Sequence, residues 1–464
     1  MSSSQKTSTK NLTQGSPMRL ILGFLLPLLC GNLFQQFYNL MDTIIVGRTL
    51  GVSALAGVGA TGSINFLIVG FCIGICSGFS IPVSQAFGAE NYSEMRKMTA
   101  HACYLTVLFM FLMTVGACIF TGTILRLTNT PQDIFDYSYR YIFIIFLGIP
   151  CVMFYNLAAG IIRALGNSRI PVLFLIIASI VNIVLDLLFI LAFGLGVSGA
   201  ALATDLSQGL AALLCFVYIR ARIPLLKILP GEWKPSGRLF KILFSMGVPM
   251  GLQYSVTAIG SVILQSAVNS LGSVMVASMT AAQKVGGFFC CPFDALGATM
   301  ATYAGQNVGA KKLERLNQGL LAGAAAGASY AVAALIVLLF IRSRLVMLFL
   351  DTYNAEVVSC AGTFLLFNAC FYIPLMLVNE VRFMIQGMGY PGLAIIAGIC
   401  EMVGRTACAL ILIPRFGWIG ACLASPIAWV IADSFLLPAY FAMRRKTYRI
   451  LGEDPGRGPG SFHS

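Results

Sequence analysis

Apolar residues fall in long runs, broken by Gly, Pro and short charged stretches. A helix needs about 20 apolar residues to cross a bilayer. Twelve runs reach that length, at 20–48, 53–86, 96–126, 134–162, 170–194, 198–221, 239–268, 273–308, 313–341, 355–388, 392–413 and 418–443. Those longer than 25 residues predict tilt, kinks or helix beyond the bilayer. Pro27, Pro150, Pro249, Pro292, Pro374 and Pro426 are the candidate bend sites, because each removes a helical hydrogen bond. The first run carries internal polar residues and reads as a retained span rather than a cleaved leader. The ends, 1–17 and 447–464, are rich in Ser, Gly, Pro and charge and read as disordered cytoplasmic tails.

The runs divide into two similar sets offset by about 221 residues. Leu50-Gly51 matches Leu271-Gly272, and Gln85-Ala-Phe-Gly88 matches Gln306-Asn-Val-Gly309. The segment ending Arg163-Ala-Leu-Gly166 matches Gln386-Gly-Met-Gly389, and Gly196-Val-Ser-Gly199 matches Gly417-Trp-Ile-Gly420. Six spans per half start both halves on the same side, so the repeat is parallel, about an axis along the membrane normal. The predicted fold is an all-α polytopic membrane protein: twelve transmembrane helices in two six-helix lobes with pseudo-two-fold symmetry. Residues 18–221 form the N-terminal lobe, 222–238 a cytoplasmic linker and 239–446 the C-terminal lobe. Facing lobes create a central cleft suited to alternating access.

Composition narrows the class. Of 464 residues, 58% are hydrophobic and 10% charged, against about 25% charged in soluble domains. A soluble enzyme or nucleic-acid binder is excluded. The net charge of +13 is accounted for by cytoplasmic anchoring. With a cytoplasmic N-terminus, 22 Lys and Arg fall on the cytoplasmic side and six on the other. That bias predicts both termini inside a plasma membrane. The 14 Cys are scattered without a CxxC framework, and two His leave no histidine metal site.

Acids inside a span are costly and mark cavities or partners. In the first span Gln35, Asn39 and Asp42 share one side, with Asn32 and Gln36 on its flank. Asn182 and Asp186 stack four residues apart in the fifth span, and Thr204 and Asp205 lie in the sixth. At 1.5 Å per residue, Asp42 and Thr204 lie roughly 9 Å, and Asp186 roughly 12 Å, from the outer ends of their helices. Two carboxylates and a hydroxyl at similar depth, with the Asn182 amide a turn deeper, suit Na⁺ or a shared proton; a structural hydrogen-bonded network is the alternative. The second half lacks this set: Glu401 and Arg405 replace Asn182 and Asp186 and are spaced as an ion pair. Lys284 could line the cleft, as could Asp205 and Asp294; Glu380 reads as interfacial beside Arg382, and Asp433 has no visible partner.

Together, Asn39-Leu-Met-Asp42-Thr-Ile-Ile-Val-Gly47-Arg, Gln85-Ala-Phe-Gly88-Ala, Arg163-Ala-Leu-Gly166-Asn, Asn182-Ile-Val-Leu-Asp186 and Gly196-Val-Ser-Gly199-Ala-Ala-Leu-Ala-Thr204 resemble the multidrug and toxic compound extrusion (MATE) family. The acid pattern looks most like its DinF/MepA-like branch. The resemblance spans roughly 17–445. It implies a V-shaped cleft and export of cationic, lipophilic compounds by antiport with Na⁺ or H⁺. It implies a cation site at Asp42, Asn182, Asp186 and Thr204, and bending of the first span near Pro27 on ion binding. No enzyme motif is present, and no cofactor beyond the coupling ion is expected. Expected partners are the small-molecule substrate and membrane lipids, with the protein a monomer that binds no nucleic acid. A rival is a lipid-linked saccharide flippase, which a strongly basic cavity would favour. The embedded acids outnumber Lys284 and Arg405 and point to cationic cargo.

Overall fold

The computed structural model describes residues 9–128, 130–349 and 354–451. Among them every regular element is helical. The first half holds α1 (Pro17–Leu50), α2 (Val52–Ala60), α3 (Gly62–Gly88), α4 (Tyr92–Leu127), α5 (Gln132–Leu147), α6 (Ile149–Ala164), α7 (Arg169–Leu187) and α8 (Val197–Arg222). The second holds α9 (Gly237–Asn269), α10 (Ser273–Gly309), α11 (Glu314–Met347), α12 (Ala355–Cys370), α13 (Tyr372–Gly387), α14 (Pro391–Ala407), α15 (Ile413–Phe416) and α16 (Trp418–Leu451). Ten spans qualify by length and apolarity, and two bent pairs, α5–α6 and α12–α13, bring the number to twelve. Large apolar side chains on the outer surface, such as Ile119 at 69% and Phe340 at 82% exposure, face the position of the lipid. The chain is a multi-pass integral membrane protein with two six-helix lobes.

Only two of the six prolines break their helices. The chain bends by 45° between α5 and α6 and by 54° between α12 and α13. Pro150 and Pro374 sit in the first turn after each break, where a missing N–H costs nothing. Pro27, Pro249, Pro292 and Pro426 lie inside continuous helices. The repeat extends to turn geometry. Gly51 and Gly272, at φ +86° and +100°, each open the next helix in a conformation that excludes most side chains. A π-turn at Leu188–Ala192 is matched by one at Cys408–Leu412.

Each lobe lends half of its first helix to the other. Leu20, Ile21, Phe24, Leu25 and Leu28 of α1 are buried in the C-terminal core, while Ile45 and Val46 are in the N-terminal core. Pro27 lies near the changeover. Leu239 and Leu243 of α9 join the N-terminal core, and Leu264 and Val268 pack with C-terminal residues. Gly74 and Gly78 of α3 let the α9 backbone approach closely: a Cβ on Gly78 would lie 2.6 Å from the Gly247 Cα.

The lobes are sealed at the end carrying the linker, and the repeated Gln-x-x-Gly motif forms the seal. Gln85 Nε2 donates to the Gly387 carbonyl at 2.9 Å, and Gln306 Nε2 to the Ala164 carbonyl at 2.9 Å. A Cβ on Gly88 would collide with the Gln306 carbonyl, and one on Gly309 with the Gln85 carbonyl. The N-terminal stretch lies across this seam. Lys10 N donates to the Leu165 carbonyl at 3.0 Å, Leu12 N to Gln306 Oε1 at 2.8 Å, and Lys312 Nζ to the Thr13 carbonyl at 3.0 Å. Leu12 and Thr13 are 1% and 3% exposed, which corrects the expectation of disorder for this part of 1–17. Hydrogen bonds to both lobes and the burial of Leu12 outweigh the entropy that composition alone assigns to the stretch. Residues 1–8 and 452–464 lie outside the described residues, and 447–451 continue α16.

The linker is docked, not loose. Glu232 takes two hydrogen bonds from Arg96, both at 2.7 Å, and one from Leu229 N at 2.9 Å. His101 Nε2 accepts from Ser236 N at 2.9 Å. The Arg96 hydrogen bonds hold the Glu232 carboxyl at about 2, below its ordinary 4.5. The carboxylate form is therefore favoured by folding, and the gain is complete above pH 4.5 and disappears as pH falls through about 2. Glu232→Gln is expected to cost about 1–3 kcal/mol of local stability, read as faster amide exchange across 222–238 at neutral pH. In the native protein the same acceleration should begin only as pH drops below 4.5. Gly88→Val and Gly309→Val should each prise the linker end apart at a cost of about 1–3 kcal/mol. Electron–electron resonance distances between labels flanking that end would lengthen; unchanged distances would refute the seal.

Candidate functional site

The second half of α1 brings Tyr38 and Asp42 against α7 and α8. The Tyr38 and Thr204 hydroxyls lie 3.0 Å apart, and Asn182 Nδ2 donates to Thr204 Oγ1 at 3.5 Å. Asn182 and Asp186 are 1% and 0% exposed. Asp42 Oδ1, Asn182 Oδ1 and both Asp186 oxygens are buried without a hydrogen-bond partner. Asp42 lies within electrostatic reach of Asp186. The four residues expected to form a site are thus on adjoining helices, with four acceptor atoms unspent. Unpartnered buried acceptors cost about 1–3 kcal/mol each, a cost that a positive occupant would relieve. The donor set is all oxygen, which fits Na⁺. Among the described residues no three His, Cys, Asp or Glu side chains gather as a transition-metal site.

Two residues of this cluster escaped the sequence reading. Tyr38 orients Thr204, and the buried Tyr141 of α5 lies within electrostatic reach of Asp42, Asp186 and Asp205. Tyr38 follows the polar face of α1 by one turn from Asp42, a signal the sequence carried. Tyr141 had none, because only folding packs α5 against α8, beside the cluster. The π-turn directly after Asp186 is the sort of helix irregularity that accompanies functional positions.

Asp205 belongs near this cluster rather than in the cleft. Its carboxylate packs against Gly148, at the break between α5 and α6, where a side chain on Gly148 would displace it. Lys284 is exposed and is not on the cavity wall. Glu380 is fully buried, with both oxygens unpartnered, and is not interfacial. Asp433 Oδ1 is likewise buried and unpartnered.

A separate cavity of about 570 Å³ lies between the lobes. Gln35 and Asn39 of α1 and Asp294 of α10 line it, as the sequence suggested. Asp42, Asn182, Asp186 and Thr204 do not. Three arginines also line it: Arg163, Arg382 and Arg405. The charge count along the chain had put Arg163 and Arg382 in cytoplasmic segments; α6 and α13 carry them into the protein. Glu401 pairs with Arg405 at 3.2 Å, as its spacing predicted, and also bonds Arg382 Nη2.

Two six-helix lobes about a polar cavity, with an oxygen cluster buried in one of them, define a membrane transporter and not an enzyme. The chain belongs to the MatE family, whose model matches residues 27–188 and 249–411, one copy per lobe. It is 32% identical over 322 residues to "Probable multidrug resistance protein YoeA" of Bacillus subtilis, covering 68% of this chain and 70% of that protein. It is 30% identical over 302 residues to "Probable multidrug resistance protein YpnP" of the same organism, covering 64% of this chain and 67% of that one. The crystal structure of MATE in complex with MaL6 superposes with a TM-score of 0.88 at 22% identity, over 97% of this chain and all of that one, and supports the two-lobe fold.

Proposed function

We propose that the chain is a secondary antiporter of the plasma membrane, exporting small organic molecules that carry a cationic group in exchange for Na⁺ or H⁺. The observation that carries this reading is the set of unpartnered oxygens on Asp42, Asn182 and Asp186 beside the Tyr38–Thr204 pair. Na⁺ would be held by Asp42, Asn182, Asp186 and Thr204; protons would be taken by the two carboxylates. Either occupant cancels charge buried among helices. Asp42 shares α1 with Gln35 and Asn39 of the cavity wall, so a shift of α1 on ion binding reaches the substrate space. The Lys and Arg distribution makes the linker end cytoplasmic, and the sealed linker end then corresponds to the outward-facing state. Ion and substrate favour opposite lobe orientations, which yields exchange. The names of the curated relatives favour drug export over lipid-linked saccharide flipping. The protein acts as a monomer in this reading, since each lobe pair encloses a complete cavity.

The test is ethidium flux in proteoliposomes under separately imposed Na⁺ and proton gradients. Flux driven by one gradient alone is expected and names the coupling ion. Asp186→Asn and Asp42→Asn should each reduce coupled flux at least about 100-fold, given the several kcal/mol attached to a buried charge site, with the protein still monodisperse. Full flux in Asp186→Asn would overturn the ion site.

A further inference from the structure

A second space opens toward the lipid rather than between the lobes. α4 and α8 both pack on α6, and the face of α6 between them floors a groove of about 1080 Å³. Phe154 of α6 and Phe216 of α8 line it and are 42% and 60% exposed. Small residues keep the channel open: Ala158 of α6, and Gly209 and Ala212 of α8. Along α8 the groove runs from Gly209 to Arg220, a rise of roughly 16 Å. That is half of the ~30 Å hydrocarbon core, the depth of one leaflet.

The linker closes one end of the groove. Ile223 and Leu226 are buried in the N-terminal core, and Lys227 is left on the groove together with Arg220 of the last turn of α8. Both cations are exposed, and neither forms an ion pair among the described residues. Glu232, the one acid in 206–293, is taken by Arg96. Residues 222–238 therefore set four Lys and Arg against one committed acid. Trp233 lines the same end, its ring 5.6 Å from that of Tyr104. Trp and Tyr gather at the level of lipid headgroups. An apolar channel of one leaflet's depth, ending in two unspent cations at the aromatic level, has the polarity of a lipid with an acidic head.

We propose that this groove binds an anionic phospholipid of the leaflet at the linker end. An acyl chain lies on α6 between α4 and α8, and the phosphate is held by Arg220 and Lys227. The site is apart from the acid cluster and the central cavity, and it rests on neither the antiport reading nor the coupling ion. Lys and Arg beside a span attract acidic headgroups, and the groove adds burial of the chain to that attraction. Arg220 belongs to α8 and Lys227 to the linker. One phosphate thus joins the two and holds the linker on the N-terminal lobe, next to the Arg96–Glu232 pair.

Trp233 reports on the groove directly. Trp418→Phe and Trp429→Phe leave it as the single tryptophan of the full chain. That protein, reconstituted in phosphatidylcholine, is titrated with phosphatidylglycerol or phosphatidylcholine brominated near the top of the chains. Quenching by the acidic lipid should reach half its limit at a mole fraction about tenfold lower, as two basic contacts predict. Arg220→Gln with Lys227→Gln should bring the two curves together. Arg222→Gln with Lys234→Gln removes equal charge outside the groove and should leave them apart. Ala212→Phe, which fills the groove, should abolish the preference with both cations in place. Equal curves in the single-tryptophan parent, or an unchanged preference in the Arg220→Gln, Lys227→Gln variant, would overturn the site. A preference kept in Ala212→Phe would also overturn it, as accumulation of acidic lipid at a basic surface. The unsubstituted chain gives a second readout. Released from detergent in a mass spectrometer after incubation with equal amounts of both lipids, it should retain phosphatidylglycerol in preference, and retention without preference would refute the proposal. Displacement of that lipid by inorganic phosphate at equal concentration would assign the cations to a free anion instead.

Discussion

The constraint on which the molecule turns is the cost of holding carboxylate oxygens among packed helices without partners. Asp186 is fully buried, and Asp42 stands close enough to repel it. In a medium that cannot solvate them, two such charges raise each other's energy sharply. The neighbouring Tyr38, Thr204 and Asn182 side chains bond one another and leave these carboxylate oxygens unpartnered. In the proposed function, a coupling ion relieves that cost. A fold that builds such a deficit into a helix contact makes the position of that contact depend on occupancy.

α1 joins the acid cluster to both lobes. Its second half carries Asp42, while its first half is buried in the opposite lobe. The Asn39 and Gln35 side chains lie between, on the cavity wall. α9 repeats the crossing in the other direction, and the glycines of α3 allow it to pack at backbone distance. The seal at the linker end is correspondingly two-fold: each Gln of the repeated motif bonds the other lobe's backbone, over the other lobe's Gly. The N-terminal stretch adds a strap over that seam by way of Gln306 and Lys312.

The two lobes share a backbone plan and divide the chemistry. The π-turn that follows Asp186 in one lobe follows Arg405 in the other. At the matched sites, one lobe leaves its acids open and the other closes its acid between two arginines. Duplication preserves the helix irregularity while side chains diverge around it. The result is a cluster of unpartnered acids confined to one lobe and a cavity of mixed polarity between them.

The chain alone determined the twelve spans, the parallel repeat and the helices that carry Asp42, Asn182, Asp186 and Thr204. Those follow from run length, from self-similarity and from helical periodicity, all of which are local. Folding decided what stands next to what. Tyr141 joins the acid cluster because α5 packs against α8, and Asp205 leaves the cleft because it fills the break at Gly148. Arg163 and Arg382 read as cytoplasmic anchors by position, yet α6 and α13 place them on the cavity wall. The N-terminal stretch is polar by composition and ordered by contact with two lobes. Charge and hydropathy report a residue's own preference for water; only the packed helices report which side of a wall it faces.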